Sequence, residues 1–277
     1  MFSSRLVRAL ALSCHPLPSA AVTAMSAGLA ALADLPAGRG VLVTAAVFTG
    51  QLSIGWSNDY LDAERDRAVG RSDKPVAAGA VAPRVAGTAA VIALVLAFAL
   101  SAALGRGGAA AALAVVACGW LYNLGLKATV LSWLPYAIAF GMLPAVATLS
   151  ASPSRWPAAW ALTAGALLGV AAHLANVLPD LRGDLATGVR GLPHRLGAEA
   201  TALSAAAILL AVTAVILFGP GGQLGPWRWA GFVAVVLVVG KAAASAYRDP
   251  SSRRFFLATI LIAALNLVLF AMSGTHL

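Results

Sequence analysis

Long apolar segments recur along this 277-residue chain, and short polar stretches separate them. A transmembrane helix needs about 20 mostly apolar residues, so the pattern predicts nine such helices. The fourth and the eighth of them are short. The predicted segments are 16–35, 40–57, 85–104, 109–124, 131–149, 158–178, 198–218, 229–246 and 255–272.

Composition supports an integral, multi-pass membrane protein. Sixty per cent of the residues are hydrophobic and 10% are charged, with a mean hydropathy of +0.86. Soluble domains carry roughly 25% charged residues, so this chain cannot cover a water-facing surface. The apolar run that ends at Leu35 is long for a signal-peptide core, and we therefore expect the first helix to be retained.

The net charge of +9 follows the membrane topology and does not indicate a nucleic-acid partner. With the amino terminus in the cytoplasm, that terminus and the loops on its side hold fourteen of the nineteen Lys and Arg residues. The opposite loops carry one each, at Arg39, Arg106, Arg155 and Arg228. This asymmetry is the positive-inside rule. It predicts a cytoplasmic amino terminus and an external carboxyl terminus.

Seven of the ten acidic residues fall in two stretches that align without a gap at an offset of 118 residues. The stretches are NDYLDAERDRAVGRSDKPVAAG (58–79) and NVLPDLRGDLATGVRGLPHRLG (176–197). Each follows an apolar segment on the predicted cytoplasmic side. The equal offset predicts a parallel internal repeat. We therefore expect one domain (1–277) of two four-helix units plus a ninth helix around a central cavity.

The spacing of the acids suggests a metal site. Asn58, Asp62 and Asp66 lie four residues apart and share one side of a helix, with Asp59 beside them. Asp180 and Asp184 repeat the spacing after Pro179, which should end or kink the sixth helix. Facing carboxylates repel one another unless cations lie between them, and hard oxygen ligands suit Mg²⁺ with a phosphate. Solvated loops also collect charge, but the matching spacing favours a functional pair.

At these residues the chain resembles the UbiA superfamily of intramembrane prenyltransferases. The first stretch is similar to its N-D-x-x-D-x-x-x-D motif, and the second to its D-x-x-x-D motif. The stretch YNLGLK resembles the family's tyrosine-to-lysine stretch after the fourth helix. The matching residues are Asn58, Asp59, Asp62 and Asp66, then Asp180 and Asp184, then Tyr122 and Lys127.

The resemblance implies a Mg²⁺-dependent enzyme that transfers an isoprenyl group from its diphosphate to a lipophilic acceptor. Its active site would lie on the cytoplasmic side, at the plasma membrane in a bacterium, with the hydrocarbon tail open sideways to lipid. The implied catalytic and Mg²⁺-binding residues are Asp59, Asp62, Asp66, Asp180 and Asp184. The implied diphosphate-binding residues are Asn58, Arg67, Arg71, Lys74, Tyr122, Lys127 and Asn176.

Other polar residues are weaker candidates. His173 and Gln51 each lie in an apolar segment on the same face as a motif asparagine, where a polar side chain often faces the bundle interior. His15 precedes Pro16, and a helix-starting turn explains it. Enzymes of the family that prenylate a hydroxybenzoate are expected to place a cationic residue near the first helix. None follows Arg8 there, which argues against a benzoate acceptor.

Two alternatives stay open at the level of the sequence. A terpene cyclase of the same fold would keep the metal motifs and need an apolar pocket, which Trp120, Trp133, Tyr136 and Phe140 could line. A transporter or cation-binding membrane protein is the second alternative. Transporters usually place polar groups near mid-bilayer, whereas these acids lie at helix ends, and this favours an enzyme.

Overall fold

The computed structural model describes residues 4–221 and 225–272, which form α-helices joined by short turns. Two 3₁₀ turns cover Leu126–Ala128 and Leu178–Asp180. The helices are α1 (Ser4–Leu12), α2 (Pro16–Leu32), α3 (Ala37–Leu61), α4 (Ala63–Ala68), α5 (Pro83–Ala102), α6 (Gly105–Leu124), α7 (Leu134–Thr148), α8 (Ala159–Val177), α9 (Leu181–Ala186), α10 (Leu192–Phe218), α11 (Pro226–Arg248) and α12 (Arg254–Ala271).

Each of the nine predicted apolar segments coincides with one helix, and α3, α10 and α11 extend beyond the predicted bounds. Across residues 4–221 and 225–272, seven helices are long and apolar enough to cross a membrane, and α2 and α7 are shorter apolar helices. The fourth and eighth segments are not the short ones, since α6 has 20 residues and α11 has 23. Both helices begin before the predicted apolar segment. The added residues include glycine and arginine in α6 and tryptophan in α11. Nine crossings remain a prediction.

The helices close into a ring. α2 packs on α3 and α7, while α3 also contacts α5 and α6. On the other side α8 packs on α7 and α10, and α12 contacts α8, α10, α11 and α2. The contact of α12 with α2 joins the end of the chain to its beginning. The ring leaves a central cavity between α2, α3, α6, α7, α8 and α12.

Glycines allow α7 and α8 to approach closely. A Cβ atom on Gly169 would lie 2.2 Å from the carbonyl oxygen of Tyr136, and one on Gly165 would lie 2.5 Å from that of Phe140. Small residues commonly let backbones approach in this way between membrane helices. The close crossing holds Tyr136 and Phe140 against α8 at the cavity wall.

The two aligned stretches have matching backbones. The short helices α4 and α9 have six residues each and start 118 positions apart, at 63 and 181. Gly70 and Gly188 have positive φ angles of 71° and 84°, and Gly79 and Gly197 have 77° and 80°. Glycine is the residue that adopts this region without steric cost. In each motif a short helix is therefore followed, two residues after its end, by a glycine with positive φ. The arrangement of the whole chain as two units stays a prediction.

Candidate active site

A cavity of about 620 Å³ lies inside the ring, with a charged end and an apolar end. Both acid motifs line the charged end. The apolar end is walled by apolar residues of α2 and of five other helices, among them Ile54, Val115, Phe140, Leu168 and Leu267. Counting 1.5 Å of helix rise per residue, α2 lines the cavity over about 13 Å, from Pro16 to Met25.

The junction of α3 and α4 places the first motif. Asp62 follows the last residue of α3 and precedes α4. Its amide donates to the carbonyl of Asn58 at 2.9 Å, and the amide of Asp66 donates to the carbonyl of Asp62 at 2.8 Å. Because this i to i−4 pattern continues across the junction, the acids stay on one side. Asp59, Asp62 and Asp66 are all buried against the cavity.

The second motif follows the end of α8. Pro179 lies in a 3₁₀ turn directly after α8, as its sequence predicts. Asp180 precedes α9 and Asp184 lies within it, and both line the cavity. Their side chains are 35% and 20% exposed, against 6% for that of Asp62. The second motif is therefore the more open side of the site.

Basic side chains neutralise the acids. Lys74 Nζ lies 2.8 Å from Asp66 Oδ2, and Lys127 pairs with Asp62. Burial lowers the pKa of Lys74, but the charges of Asp59 and Asp66 outweigh it and the pKa lies above its usual range. Burial also lowers the pKa of Lys127, and the charge of Asp62 raises it by less, so the pKa of Lys127 lies below its usual range.

Two arginines connect the motifs. Arg71 Nη1 donates to Asp180 Oδ1 at 2.9 Å. Arg65 Nη2 donates to Asp62 Oδ2 at 2.9 Å and lies 3.8 Å from Asp184 Oδ1. Each guanidinium thus reaches across the space between the short helices α4 and α9. Arginine can offer paired N–H groups to a phosphate as well as to a carboxylate.

Three residues of the site were missed by the sequence reasoning. His15 Nε2 lies 2.9 Å from Asp59 Oδ1, so His15 does more than start α2. His194 Nε2 lies 3.3 Å from Asp184 Oδ2. Arg65 has a signal that could have found it, since it lies three residues after Asp62 and can pair with it on one helical face.

The structure brings most of the predicted site residues to the cavity. Arg67 is the exception, because it is exposed on α4 and is not part of the cavity wall. Arg65, on the same helix, lies there instead. The predicted residues that do line the cavity are Asn58, Asp59, Asp62, Asp66, Arg71, Lys74, Tyr122, Lys127, Asn176, Asp180 and Asp184.

Only some of the weaker candidate residues line the cavity. Gln51 lines the cavity, whereas His173 lies outside its wall and contacts the hydroxyl of Ser132 at 3.0 Å. Tyr136 and Phe140 line the cavity as expected. Trp120 and Trp133 do not, and the indole N–H of Trp120 donates to Ser53 at 3.0 Å. The pattern of aromatic positions does not show which helix face turns inward.

Tyr122 is fixed at the site by its neighbour. The side chain of Asn123 donates to the carbonyl of Ile54 and to the hydroxyl of Ser57, both at 2.9 Å. These bonds join α6 to α3 next to the first motif. The ring of Tyr122 packs edge-on against that of Tyr136 at 5.2 Å, and Tyr136 and Asn176 both line the cavity.

The donor set fits a divalent cation that arrives with a phosphate. Within the described ranges no three His, Cys, Asp or Glu side chains form a ready metal cluster. The five motif aspartates instead form two sets that face each other. Mg²⁺ commonly takes one or two carboxylates and completes its shell with water and substrate phosphate oxygens. The carboxylates of the two motifs meet that requirement without a closed protein cage.

Exposed residues line the cavity where α2 and α12 lie side by side. Leu17 and Ala24 of α2 and Ala264 of α12 line the cavity and are exposed. Further along, α2 and α12 close, since a Cβ atom on Gly28 would lie 2.5 Å from Leu267 Cδ2. We therefore expect the apolar end to be reached from the side of the bundle, between these two helices.

Comparison with known proteins gives a consistent result. A model of the UbiA prenyltransferase family matches residues 19–272. The digeranylgeranylglyceryl phosphate synthase of Methanopyrus kandleri is 30% identical over 194 residues, which are 66% of this chain and 66% of the relative.

Solved structures share the fold. A UbiA homolog from Aeropyrum pernix K1, in its apo form, superimposes with a TM-score of 0.72 at 19% identity. The superposition covers 92% of this chain and 98% of the homolog. A UbiA homolog from Archaeoglobus fulgidus, solved with GPP and Mg²⁺, has a TM-score of 0.68 at 16% identity, covering 97% of this chain and all of the homolog.

Proposed function

The chain belongs to the UbiA prenyltransferase family, and on that premise we propose that it is a Mg²⁺-dependent intramembrane prenyltransferase. It would transfer an isoprenyl group from its diphosphate to a lipophilic acceptor. The observation that carries this proposal is the joint lining of one cavity by both acid motifs and by an apolar chamber. A diphosphate with an isoprenyl tail has the same division of polarity.

We assign Mg²⁺ to the two facing sets of carboxylates. Asp59, Asp62 and Asp66 form the buried set, and Asp180 and Asp184 the partly exposed one. Bound there, Mg²⁺ supplies charge neutralisation for the diphosphate. The Archaeoglobus fulgidus homolog was solved with Mg²⁺ and GPP, which supports Mg²⁺ as the metal to test.

The diphosphate is held by basic and polar side chains at the charged end. Arg65, Arg71, Lys74 and Lys127 each pair with a motif carboxylate, and a diphosphate can exchange with those ion pairs. Positive charge fixed in position stabilises the negative charge that grows on the leaving group. Asn58, Asn176 and Tyr122 line the same end of the cavity and complete the polar contacts.

The apolar part of the cavity binds the isoprenyl group. When the bond from its first carbon to the diphosphate oxygen breaks, an allylic cation is left in a chamber lined by Tyr122, Tyr136 and Phe140. Aromatic faces attract a cation, and the apolar wall excludes water that would quench it. A nucleophilic group of the acceptor then forms the new bond to that carbon and releases a proton.

Two observations indicate which class of acceptor to test. The Methanopyrus kandleri relative is named for a product that contains glyceryl phosphate, and the charged end of this cavity has several cations that suit a phosphate. The side opening between α2 and α12 suits a lipid. We therefore propose a lipid alcohol bearing a phosphate as the acceptor to test first, with the site on the cytoplasmic side.

The test uses purified protein with Mg²⁺ and isoprenyl diphosphates of increasing length, with and without lipid glyceryl phosphates. Products are identified by mass spectrometry. We expect a prenylated lipid whose formation requires both substrates. Release of a cyclic hydrocarbon or alcohol without acceptor, at a catalytic rate, would replace transfer by cyclisation. Absence of any diphosphate release across the set would contradict both.

A further inference from the structure

A second, smaller cavity of about 190 Å³ lies beside the charged end of the main one. It is placed between the short helices α4 and α9. Three residues belong to it alone, Val69, Gly183 and Thr187, and all three are partly exposed. Six residues line both cavities: Arg65, Asp66, Arg71, Pro179, Asp180 and Asp184. A single wall of mostly charged residues therefore separates the two spaces.

The two cavities differ in what they can accept. The main cavity continues into an apolar chamber that we expect to be reached from lipid between α2 and α12. The small cavity has no apolar chamber, and its volume exceeds several times the roughly 30 Å³ of one water molecule in the liquid. It can hold a small hydrated anion, whereas an isoprenyl tail would meet charged side chains on most sides.

Prenyl transfer makes one largely apolar product, the prenylated lipid, and one highly charged product, free diphosphate. The prenylated lipid can leave sideways into the membrane. Free diphosphate carries several charges, and a charged group is costly in hydrocarbon. It therefore needs a polar route out of the site. We propose that the small cavity between α4 and α9 is the route by which diphosphate leaves to water. This inference rests on the proposed function.

The dividing wall holds two guanidinium groups that can bind an anion, beside the carboxylates of Asp66, Asp180 and Asp184. Arg71 Nη1 lies 2.9 Å from Asp180 Oδ1, and Arg65 Nη2 lies 3.8 Å from Asp184 Oδ1. Both guanidinium groups line the two cavities. A phosphate can replace an aspartate as their partner on either side. When the arginines turn back to Asp180 and Asp184, the wall closes behind the departing anion.

The small cavity can be blocked without changing a charged residue. A Cβ atom on Gly183 meets no atom within 4 Å, so Gly183→Leu places its side chain in open space while Gly183→Ala leaves most of the cavity free. Thr187→Leu fills the cavity from the residue directly after α9, and it removes only the bonds from Thr187 Oγ1 to the carbonyls of Gly183 and Asp184. Gly38→Leu is the matched control, since Gly38 on α3 also has open space.

Rapid-quench kinetics then separate chemistry from release. In Gly183→Leu we expect a normal first turnover, seen as a burst of about one product per enzyme, followed by slower steady-state turnover. The steady-state rate should fall by about tenfold or more, since product release then limits the rate. Added diphosphate should inhibit this variant with slow onset. Gly183→Ala and Gly38→Leu should behave as wild type.

The outcomes are distinct. Equal steady-state rates and equally fast inhibition by diphosphate in wild type, Gly183→Leu and Thr187→Leu would overturn the exit route and leave the proposed transferase intact. A wild-type protein without first-turnover product would instead overturn the proposed function. Thermal unfolding of each variant checks the fold, and Thr187→Leu replaces Gly183→Leu where the latter does not fold.

Discussion

Arg71 Nη1 donates a hydrogen bond to Asp180 Oδ1 at 2.9 Å across 109 positions of sequence. This bond joins the loop of the first acid motif to the start of the second. Arg71 also pairs with Asp73 at 2.9 Å. The contact with Asp180 shows that the two stretches face each other over the charged end of the cavity.

Replacement of Arg71 should weaken binding of the isoprenyl diphosphate. A hydrogen bond to a charged group contributes about 1.5–3 kcal/mol, so Arg71→Ala should raise KM by about 10- to 100-fold. Arg67→Ala is the matched control, because Arg67 is exposed and lies outside the cavity wall. Steady-state kinetics at varied diphosphate concentration give the answer. Equal KM values in the two variants would contradict the assignment.

The motif aspartates should be indispensable, unlike an acid outside the repeated pattern. Asp62→Ala or Asp180→Ala should each lower turnover by about 10²–10³, as commonly seen on loss of one electrostatic stabiliser. Glu64→Ala should retain activity, since Glu64 is exposed on α4. Excess EDTA should abolish turnover and Mg²⁺ should restore it. Full activity in EDTA, or in both aspartate variants, would rule out the two-motif site.

His15 should act as a positioning residue for Asp59. Its imidazole contacts the buried carboxylate at 2.9 Å, and loss of such a supporting partner typically costs about 10- to 100-fold in metal affinity. We expect His15→Ala to raise the Mg²⁺ concentration for half-maximal activity by about tenfold, with a smaller change in His15→Gln. Thr23→Ala, on the helix that follows His15, is the control. An unchanged Mg²⁺ titration in His15→Ala would show that the contact has no such role.

Both motif loops should face one side of the membrane. In a background without Cys14 and Cys118, membrane-impermeant thiol reagents should label Asp73→Cys and Arg190→Cys from the same side. Arg155→Cys should react from the opposite side. All three positions are exposed in the structure. Labelling of positions 73 and 190 from opposite sides would disprove the topology drawn from the loop charges.

The crossing of α7 and α8 should tolerate no added methyl group. In Gly169→Ala the new Cβ atom would lie 2.2 Å from the carbonyl oxygen of Tyr136. Overpacking of this kind costs about 1–3 kcal/mol. Thermal unfolding in detergent should show a lower midpoint for Gly169→Ala than for Gly240→Ala, whose added methyl group meets open space. Equal midpoints would show that α7 and α8 can move apart.

The sequence by itself determined the helical membrane architecture and the two acid motifs. Helix length and apolar content are properties of consecutive residues, and the repeat from Asn58 to Gly79 and from Asn176 to Gly197 is visible as spacing. Local geometry followed as well. Pro179 lies just after the end of α8, and the glycines at 70 and 188 adopt the positive φ that glycine favours.

Only the tertiary structure decided which polar side chains meet. His15 and Asp59 are 44 positions apart and their contact depends on how α2 lies against α3. Arg65 reaches the cavity and Arg67 does not, because the rotation of α4 about its axis is set by its neighbours. A helical pattern gives the residues that share a face, but the direction of that face is fixed by packing between helices distant in sequence.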